Sequence, residues 1–121
     1  MNIETVPDLK EFWHHGPVID NTFDRRIMKN IQVSEVDKFN KVFDELFIEM
    51  NNLGSILLKS ICLTLDLPSN YFNQSTSKGN SLLRLIHYPP SNNENMYRAR
   101  EHADINLIGG GRGAAGREPP F

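Results

Sequence analysis

Two side chains near the end of the sequence, His102 and Asp104, could bind a metal ion. In a strand they would lie on the same face, because side chains alternate between the two faces and only Ala103 separates them. An imidazole and a carboxylate are two of the three ligands of the 2-His-1-carboxylate triad that holds non-heme Fe(II). The third ligand would be a later histidine, and none follows His102. By itself the tripeptide is more typical of an ordinary surface pair.

Three other histidines and a tyrosine could also take part in catalysis or metal binding, but each has a simpler structural interpretation. His87 and Tyr88 are neighbours in an apolar run, so in a strand they would face opposite sides. We interpret His87 as a packed histidine, and the alternative is a replacement third metal ligand. Tyr88 either packs, with its hydroxyl bonded to backbone, or lines a site. His14 and His15 lie in a predicted loop or short helix, where packing or exposure is expected rather than catalysis.

Composition and charge limit the class of protein and its partners. With 121 residues, of which 39% are hydrophobic, the chain has the size and composition of one folded domain. A formal charge of −2 without a basic stripe predicts no nucleic-acid partner. The single cysteine, Cys62, falls in an apolar helical pattern and is predicted to be a buried thiol. We recognise neither a signal peptide nor a membrane span, and therefore expect a cytoplasmic protein without a membrane partner.

A long amphipathic helix is predicted from Ser34 to about Leu65. Ser34 and Asp37 resemble a capping box at its start, and Pro68 prevents its continuation. Apolar residues recur every three or four positions, which places them on one stripe of the helix. The stripe consists of Val36, Phe39, Val42, Phe43, Leu46, Phe47, Met50, Leu53, Leu57 and Ile61.

Two strands are predicted after this helix. Residues 69–80 are rich in Ser, Asn and Thr and are expected to form a loop. The first strand covers residues 81–88 and has two largely apolar faces, as in a sandwich. The second runs from about residue 100 to 108. Its alternation places His102, Asp104 and Asn106 on one face and Ala103, Ile105 and Leu107 on the other.

The composition changes after Ile108. Residues 109–121 contain five glycines with Ala, Arg, Pro, Glu and Phe, and we expect a flexible tail that is not native to the fold. Residues 111–116 match the dinucleotide-binding fingerprint G-x-G-x-x-G. Because that fingerprint needs a following helix and a second strand, and only five residues remain, we interpret the match as accidental.

Four blocks in a fixed order resemble one enzyme family. They are DLKEFWHHG at 8–16, LDLPSNYF at 65–72, LRLIHYPP at 83–90 and RAREHADINLI at 98–108. Their order is similar to that in the isopenicillin N synthase-like branch of the Fe(II)/2-oxoglutarate-dependent dioxygenases. The blocks extend over most of residues 8–108, and the Gly-rich tail matches nothing in the family.

The resemblance implies a fold and a site. Residues 1–108 would be an α+β unit, a partial double-stranded β-helix (jelly roll) with a long packing helix, and a fragment of a larger domain. His102 and Asp104 would bind Fe(II), and Tyr88 would contact the co-substrate 2-oxoglutarate. In such enzymes the co-substrate is decarboxylated to succinate while O2 oxidises a small organic substrate. No further side chain is assigned a catalytic role.

The sequence departs from the family in three ways, which leave two function classes open. The opening part of the family fold, the distal histidine and the Arg-x-Ser pair that anchors the co-substrate are not found. We therefore expect a middle fragment that is inactive as an oxygenase in this form. The alternative is a noncatalytic interaction module, or a non-functional truncated product. An unpaired edge of the incomplete jelly roll would then permit self-association.

Overall fold

A computed structural model shows a two-stranded antiparallel sheet beside one long helix. It describes residues 8–22, 24–90, 97, 99, 102–103 and 106–110. In chain order the elements are β1 (Glu11–His15), α1 (Phe39–Thr64), α2 (Asn73–Thr76) and β2 (Leu83–His87). The mixture of strand and helix agrees with the predicted α+β class at this coarse level, whereas the jelly roll stays a prediction.

The two strands form a ribbon with two distinct faces. Trp13 pairs with Leu85, and His15 pairs with Leu83. Paired residues lie on the same face, and contacts of Trp13 and His15 with the phenylalanines of α1 show that this face is turned toward the helix. We call it the inner face: Glu11, Trp13, His15, Leu83, Leu85 and His87. The outer face consists of Phe12, His14, Arg84 and Ile86.

The strand β1 corrects the expectation of a loop or short helix around Trp13, His14 and His15. Aromatic or imidazole rings fall on both faces of this segment, so the sequence has no apolar alternation to indicate a strand. Its strand conformation depends instead on pairing with β2, about 70 residues later, which no local pattern encodes.

The helix α1 begins at Phe39, five residues later than predicted. The expected capping box at Ser34 does not form, because Lys38 takes a left-handed conformation (φ 59°, ψ 6°) and no side chain caps the helix. Asn40 instead holds the preceding loop: its side-chain oxygen accepts from the Val33 N–H (3.0 Å), and its amide donates to the Val33 carbonyl (2.8 Å).

The end of α1, one residue before Leu65, agrees with the prediction. Asp66 adopts a left-handed conformation (φ 53°), and its N–H lies 3.4 Å from the Leu63 carbonyl. The Leu67 N–H donates to the Cys62 carbonyl at 2.8 Å. Together these two bonds make a Schellman motif, which satisfies carbonyl groups that the last turn leaves unpaired.

The predicted stripe of α1 divides into a packed part and an exposed part. Phe39 and Phe43 are half-buried against the ribbon, with ring centroids 4.4 Å apart. The thiol of Cys62 is buried, as predicted, together with Leu58. Phe47 is half-buried as well, and six other members of the predicted stripe, which we call the apolar stripe, are exposed: Val42, Leu46, Met50, Leu53, Leu57 and Ile61.

The composition of α1 also bears on the expected absence of a membrane span. Its most apolar 18-residue window has a mean hydropathy of 1.3, so by length and composition α1 could cross a membrane. Core helices of soluble proteins share this property, so the match does not decide between the two environments.

The segments after α1 agree with the prediction only in part. The strand predicted at 81–88 is present as β2, and the loop predicted at 69–80 contains the single-turn helix α2. The strand predicted at 100–108 is wrong at residues 102–103 and 106–108, which belong to no helix or strand. The rest of that range and residues 111–121 lie outside the described residues. A strand requires a place in a sheet, and the sheet of the described residues consists of β1 and β2.

Candidate functional site

The structure describes only one of the two predicted metal ligands. His102 is exposed and lies outside helix and strand, and Asp104 lies outside the described residues. Five residues before His102, the Tyr97 carbonyl accepts a hydrogen bond from the Leu9 N–H at 2.8 Å, which ties this part of the chain to the segment before β1. Within the described ranges, no three His, Cys, Asp or Glu side chains are grouped closely enough to hold a metal. The His102–Asp104 pair therefore stays a prediction.

Tyr88, the predicted co-substrate contact, follows directly after β2. The strand β2 ends at His87, so Tyr88 lies one residue beyond the ribbon. The residue is 38% exposed. Continued alternation of the strand would put its ring on the side of Arg84 and Ile86.

His87 does not pack in the interior as expected. Its side chain is 66% exposed, and its Nδ1 lies 3.0 Å from Oε2 of Glu11 on the opposite strand. The two residues are the last pair of the ribbon, so the end of the sheet leaves them open to solvent. The imidazole of His87 and the carboxylate of Glu11 are both common metal-ligand types. The sequence analysis did not predict that these two side chains would be in contact.

His15 is the most deeply buried polar side chain of the described part, at 1% exposure. Its Nε2 lies 2.8 Å from Oδ1 of Asp44 on α1. The side-chain nitrogen of Asn30 lies 3.2 Å from the same Nε2, and Nδ1 of His15 has no hydrogen-bond partner among the described atoms. Asn30 accepts from the Gly16 N–H at 2.7 Å and donates to the Gly16 carbonyl at 2.9 Å. We call these four residues the His15 cluster.

The outer face carries a second ordered group, the arginine cluster of Phe12, His14 and Arg84. The Arg84 Nε–H donates to Nε2 of His14 at 2.7 Å, so this ring nitrogen is the acceptor. The Arg84 guanidinium carbon lies 5.4 Å from the centre of the Phe12 ring. The rings of Phe12 and His14 are stacked with centroids 4.8 Å apart. Sequence analysis missed this cluster because it depends on the register of β1 with β2.

The resolved pKa shifts lie away from these groups, in exposed loops. A hydrogen bond from the Arg26 side chain lowers the pKa of Asp24, and the two charges are 2.6 Å apart. The hydroxyl of Thr22 lowers the pKa of Asp20 in the same way. Each carboxylate is bonded to a residue two positions further along the chain, so these lowered pKa values describe local turns.

Comparison with known proteins identifies similar enzymes. The 2-oxoglutarate-dependent dioxygenase frbA of Dothideomycetidae sp. (strain 11243) is 28% identical over 105 residues, covering 84% of this chain and 30% of that protein. Proline hydroxylase buaE of Petromyces alliaceus is 30% identical over 111 residues, covering 87% and 33%. The 2-oxoglutarate-Fe(II) type oxidoreductase ppzD of Metarhizium rileyi (strain RCEF 4871) is 25% identical over 111 residues, covering 88% and 31%.

These relatives confirm the resemblance to 2-oxoglutarate-dependent dioxygenases that the sequence blocks indicated. The chain spans about a third of the length of the curated relatives it matches. No family model matches it, and no solved structure does. The similarity therefore supports the class of 2-oxoglutarate-dependent oxygenases, and the jelly-roll fold stays a prediction.

Proposed function

We propose that this chain is part of an oxygenase that uses Fe(II) and 2-oxoglutarate, with His102 and Asp104 as iron ligands and Tyr88 as a contact of the co-substrate. The observation that carries the proposal is its similarity, over 84–88% of its length, to three proteins named as a 2-oxoglutarate-dependent dioxygenase, a proline hydroxylase and a 2-oxoglutarate-Fe(II) type oxidoreductase. The substrate would be a small organic molecule, as in the family.

The donor types fit Fe(II), although two protein ligands do not make a complete site. Imidazole nitrogen and carboxylate oxygen are what non-heme iron binds, and His102 is exposed. Bound Fe(II) would supply the activation of dioxygen and the oxidation of a C–H bond. The residues of this chain would hold the metal and orient the co-substrate, with the Tyr88 hydroxyl donating to a carboxylate oxygen.

Turnover by this chain without further segments is not expected. A reaction of this class needs the metal, co-substrate and substrate fixed relative to one another, and a misplacement of about 1 Å can reduce rate by ~10²-fold. Two protein ligands leave the orientation of bound iron undetermined. We therefore expect no iron-dependent succinate formation from the 121-residue chain.

An anaerobic calorimetric titration with Fe(II) tests the proposed ligands. We expect weak binding, with a Kd of about 0.1 mM or higher, that is lost in His102→Ala and in Asp104→Ala. The matched control is His87→Ala, which removes an exposed imidazole in contact with the Glu11 carboxylate and should leave binding unchanged. Binding that survives His102→Ala and disappears in His87→Ala would overturn the assignment.

The apolar stripe of α1 supports a second candidate, a noncatalytic interaction module. Six large side chains are exposed on one side of the helix, and contiguous exposed apolar surface commonly marks an interface. The same titration separates the two candidates, since an interaction module has no requirement for iron. Concentration-dependent association without metal binding would favour the module.

A further inference from the structure

We propose that the arginine cluster of the outer face is a carboxylate-binding site, which takes a small molecule with a carboxylate at one end and an apolar body. Assigning that molecule as the substrate of the oxygenase rests on the function proposed above. The carboxylate binding itself does not, because it concerns only Phe12, His14 and Arg84.

The guanidinium of Arg84 is held in place before any ligand binds. Its Nε–H is bonded to His14 at 2.7 Å, and its plane is near the Phe12 ring, with the central carbon 5.4 Å from the ring centre. A cation above an aromatic face is attracted by the ring electrons. An arginine restrained by two neighbouring side chains loses little conformational freedom when it binds an anion, which favours affinity.

The charge of Arg84 is not matched by a carboxylate in the described part of the chain. Lys10 and Arg26 lie within 4.0 Å of an aspartate each, whereas Arg84 makes no ion pair there. The two terminal nitrogens of Arg84 make no hydrogen bond to any described residue, and only its Nε–H is bonded. Glu11, the acid of β1, belongs to the inner face and contacts His87. Terminal guanidinium nitrogens in a rigid fork match the two oxygens of a carboxylate.

The surroundings of Arg84 favour a ligand with an apolar body. On the same face, Phe12 is 55% exposed and Ile86 is 44% exposed, so both can cover apolar surface of a bound molecule. No acidic residue lies on the outer face of either strand. A single guanidinium complements one negative charge, which fits a monocarboxylate better than a phosphate dianion.

The spacing along β2 relates this site to the proposed co-substrate contact. Arg84 and Tyr88 are four positions apart in the chain, which corresponds to about 13 Å at ~3.3 Å per residue, and continued strand alternation would put both on the outer face. A carboxylate at Arg84 and 2-oxoglutarate at Tyr88 would therefore occupy different ends of the face, with Ile86 between them. This arrangement assigns the arginine cluster to the substrate rather than to the co-substrate.

A titration followed by NMR tests the proposal on the 121-residue chain. With 15N-labelled arginine, the Nε–H signal of Arg84 reports on the guanidinium directly. Benzoate should produce a saturable shift with millimolar affinity, and benzamide, which has the same ring without the charge, should bind at least tenfold more weakly. 2-Oxoglutarate should bind more weakly than benzoate, because its second carboxylate would be placed over the apolar side chain of Ile86.

Variants define which outcomes support the site and which overturn it. Arg84→Gln should abolish benzoate binding, seen as the loss of shifts at the Phe12 and His14 signals. Arg84→Lys, which keeps the charge and removes the fork, should weaken binding about fivefold or more. The control Arg26→Gln should have no effect, since Arg26 is already paired with Asp24. Unchanged β1 amide shifts would verify that each variant keeps the ribbon.

Two results would contradict the inference, and both differ from a failure of the proposed function. Equal affinity for benzoate and benzamide, or benzoate binding that persists in Arg84→Gln, would mean that no carboxylate site exists. Tighter binding of 2-oxoglutarate than of benzoate would assign the cluster to the co-substrate and overturn its assignment to the substrate. Loss of iron binding at His102 is measured separately, so it would refute the oxygenase proposal while leaving the carboxylate site intact.

Discussion

The two faces of the β1–β2 ribbon differ in how their polar side chains are used. On the inner face, His15 is buried and bonded to Asp44 of α1, so its hydrogen bonding connects two elements. On the outer face, Arg84 and His14 bond to each other and remain exposed. A buried side chain that bonds two elements of the chain to each other serves its structure, whereas an exposed ordered charge without a counter-ion is available to a ligand. The comparison indicates that the inner face has a structural role and that the outer face has a role in recognition.

The largest expected effect comes from removing His15. In His15→Ala, Asp44 loses its imidazole partner and a cavity replaces a buried ring, so we expect a local cost of about 2 kcal/mol. Protection of the β1 amides from hydrogen exchange should fall by about thirtyfold, as measured by NMR. The matched variant on the outer face is His14→Ala, which should change protection by less than about threefold. Equal losses of amide protection in the two variants would contradict the proposed difference between the inner and outer faces.

An intermediate effect is expected from the two sides of α1. Replacing Leu46, Leu53 and Leu57 of the apolar stripe with Gln should reduce the fluorescence of a hydrophobic dye severalfold and leave helix content unchanged, because these side chains are exposed. Leu58→Ala, on the buried side, should lower helix content, since truncation of a buried leucine removes apolar contacts and leaves a cavity. The measurements are dye titration and far-ultraviolet circular dichroism. Dye binding that is unaffected by the triple substitution would show that the apolar stripe is not accessible to the dye.

The smallest expected effect belongs to the outer face. Arg84→Gln removes a hydrogen bond and a cation–π contact at an exposed site, which together should be worth no more than about 1 kcal/mol. Amide protection in β1 and β2 should therefore decrease by no more than about fivefold. A loss as large as that of His15→Ala would mean that Arg84 is structural, and would remove the basis for a binding role.

The sequence predicted the elements whose signals are local. The helix end near Leu65 and the strand at 81–88 follow from apolar patterning with proline and glycine nearby, and both were confirmed within a few residues. The helix start was wrong because a left-handed Lys38 outweighed the capping signal at Ser34. The strand β1 was missed because it depends on distant pairing.

The candidate site was predictable only at the level of residue types. A His-x-Asp tripeptide and a tyrosine before two prolines are visible in the sequence, and their ordered context led to a family that the relatives support. The arginine cluster was not predictable, since Phe12 and Arg84 become neighbours only through the strand register. Burial of His15 likewise depends on the packing of α1 against β1, which the histidine pair does not encode.

Paramagnetic broadening by Mn(II), used in place of Fe(II), tests the central claim that the metal binds at His102 and Asp104. At substoichiometric Mn(II), the NMR signals of His102 and Ala103 should broaden first. Those of Leu58 on α1 and of the Glu11–His87 pair should stay sharp, and His102→Ala should abolish the effect. Broadening centred on Glu11 and His87, with His102 unaffected, would contradict the account and place the metal at the end of the ribbon.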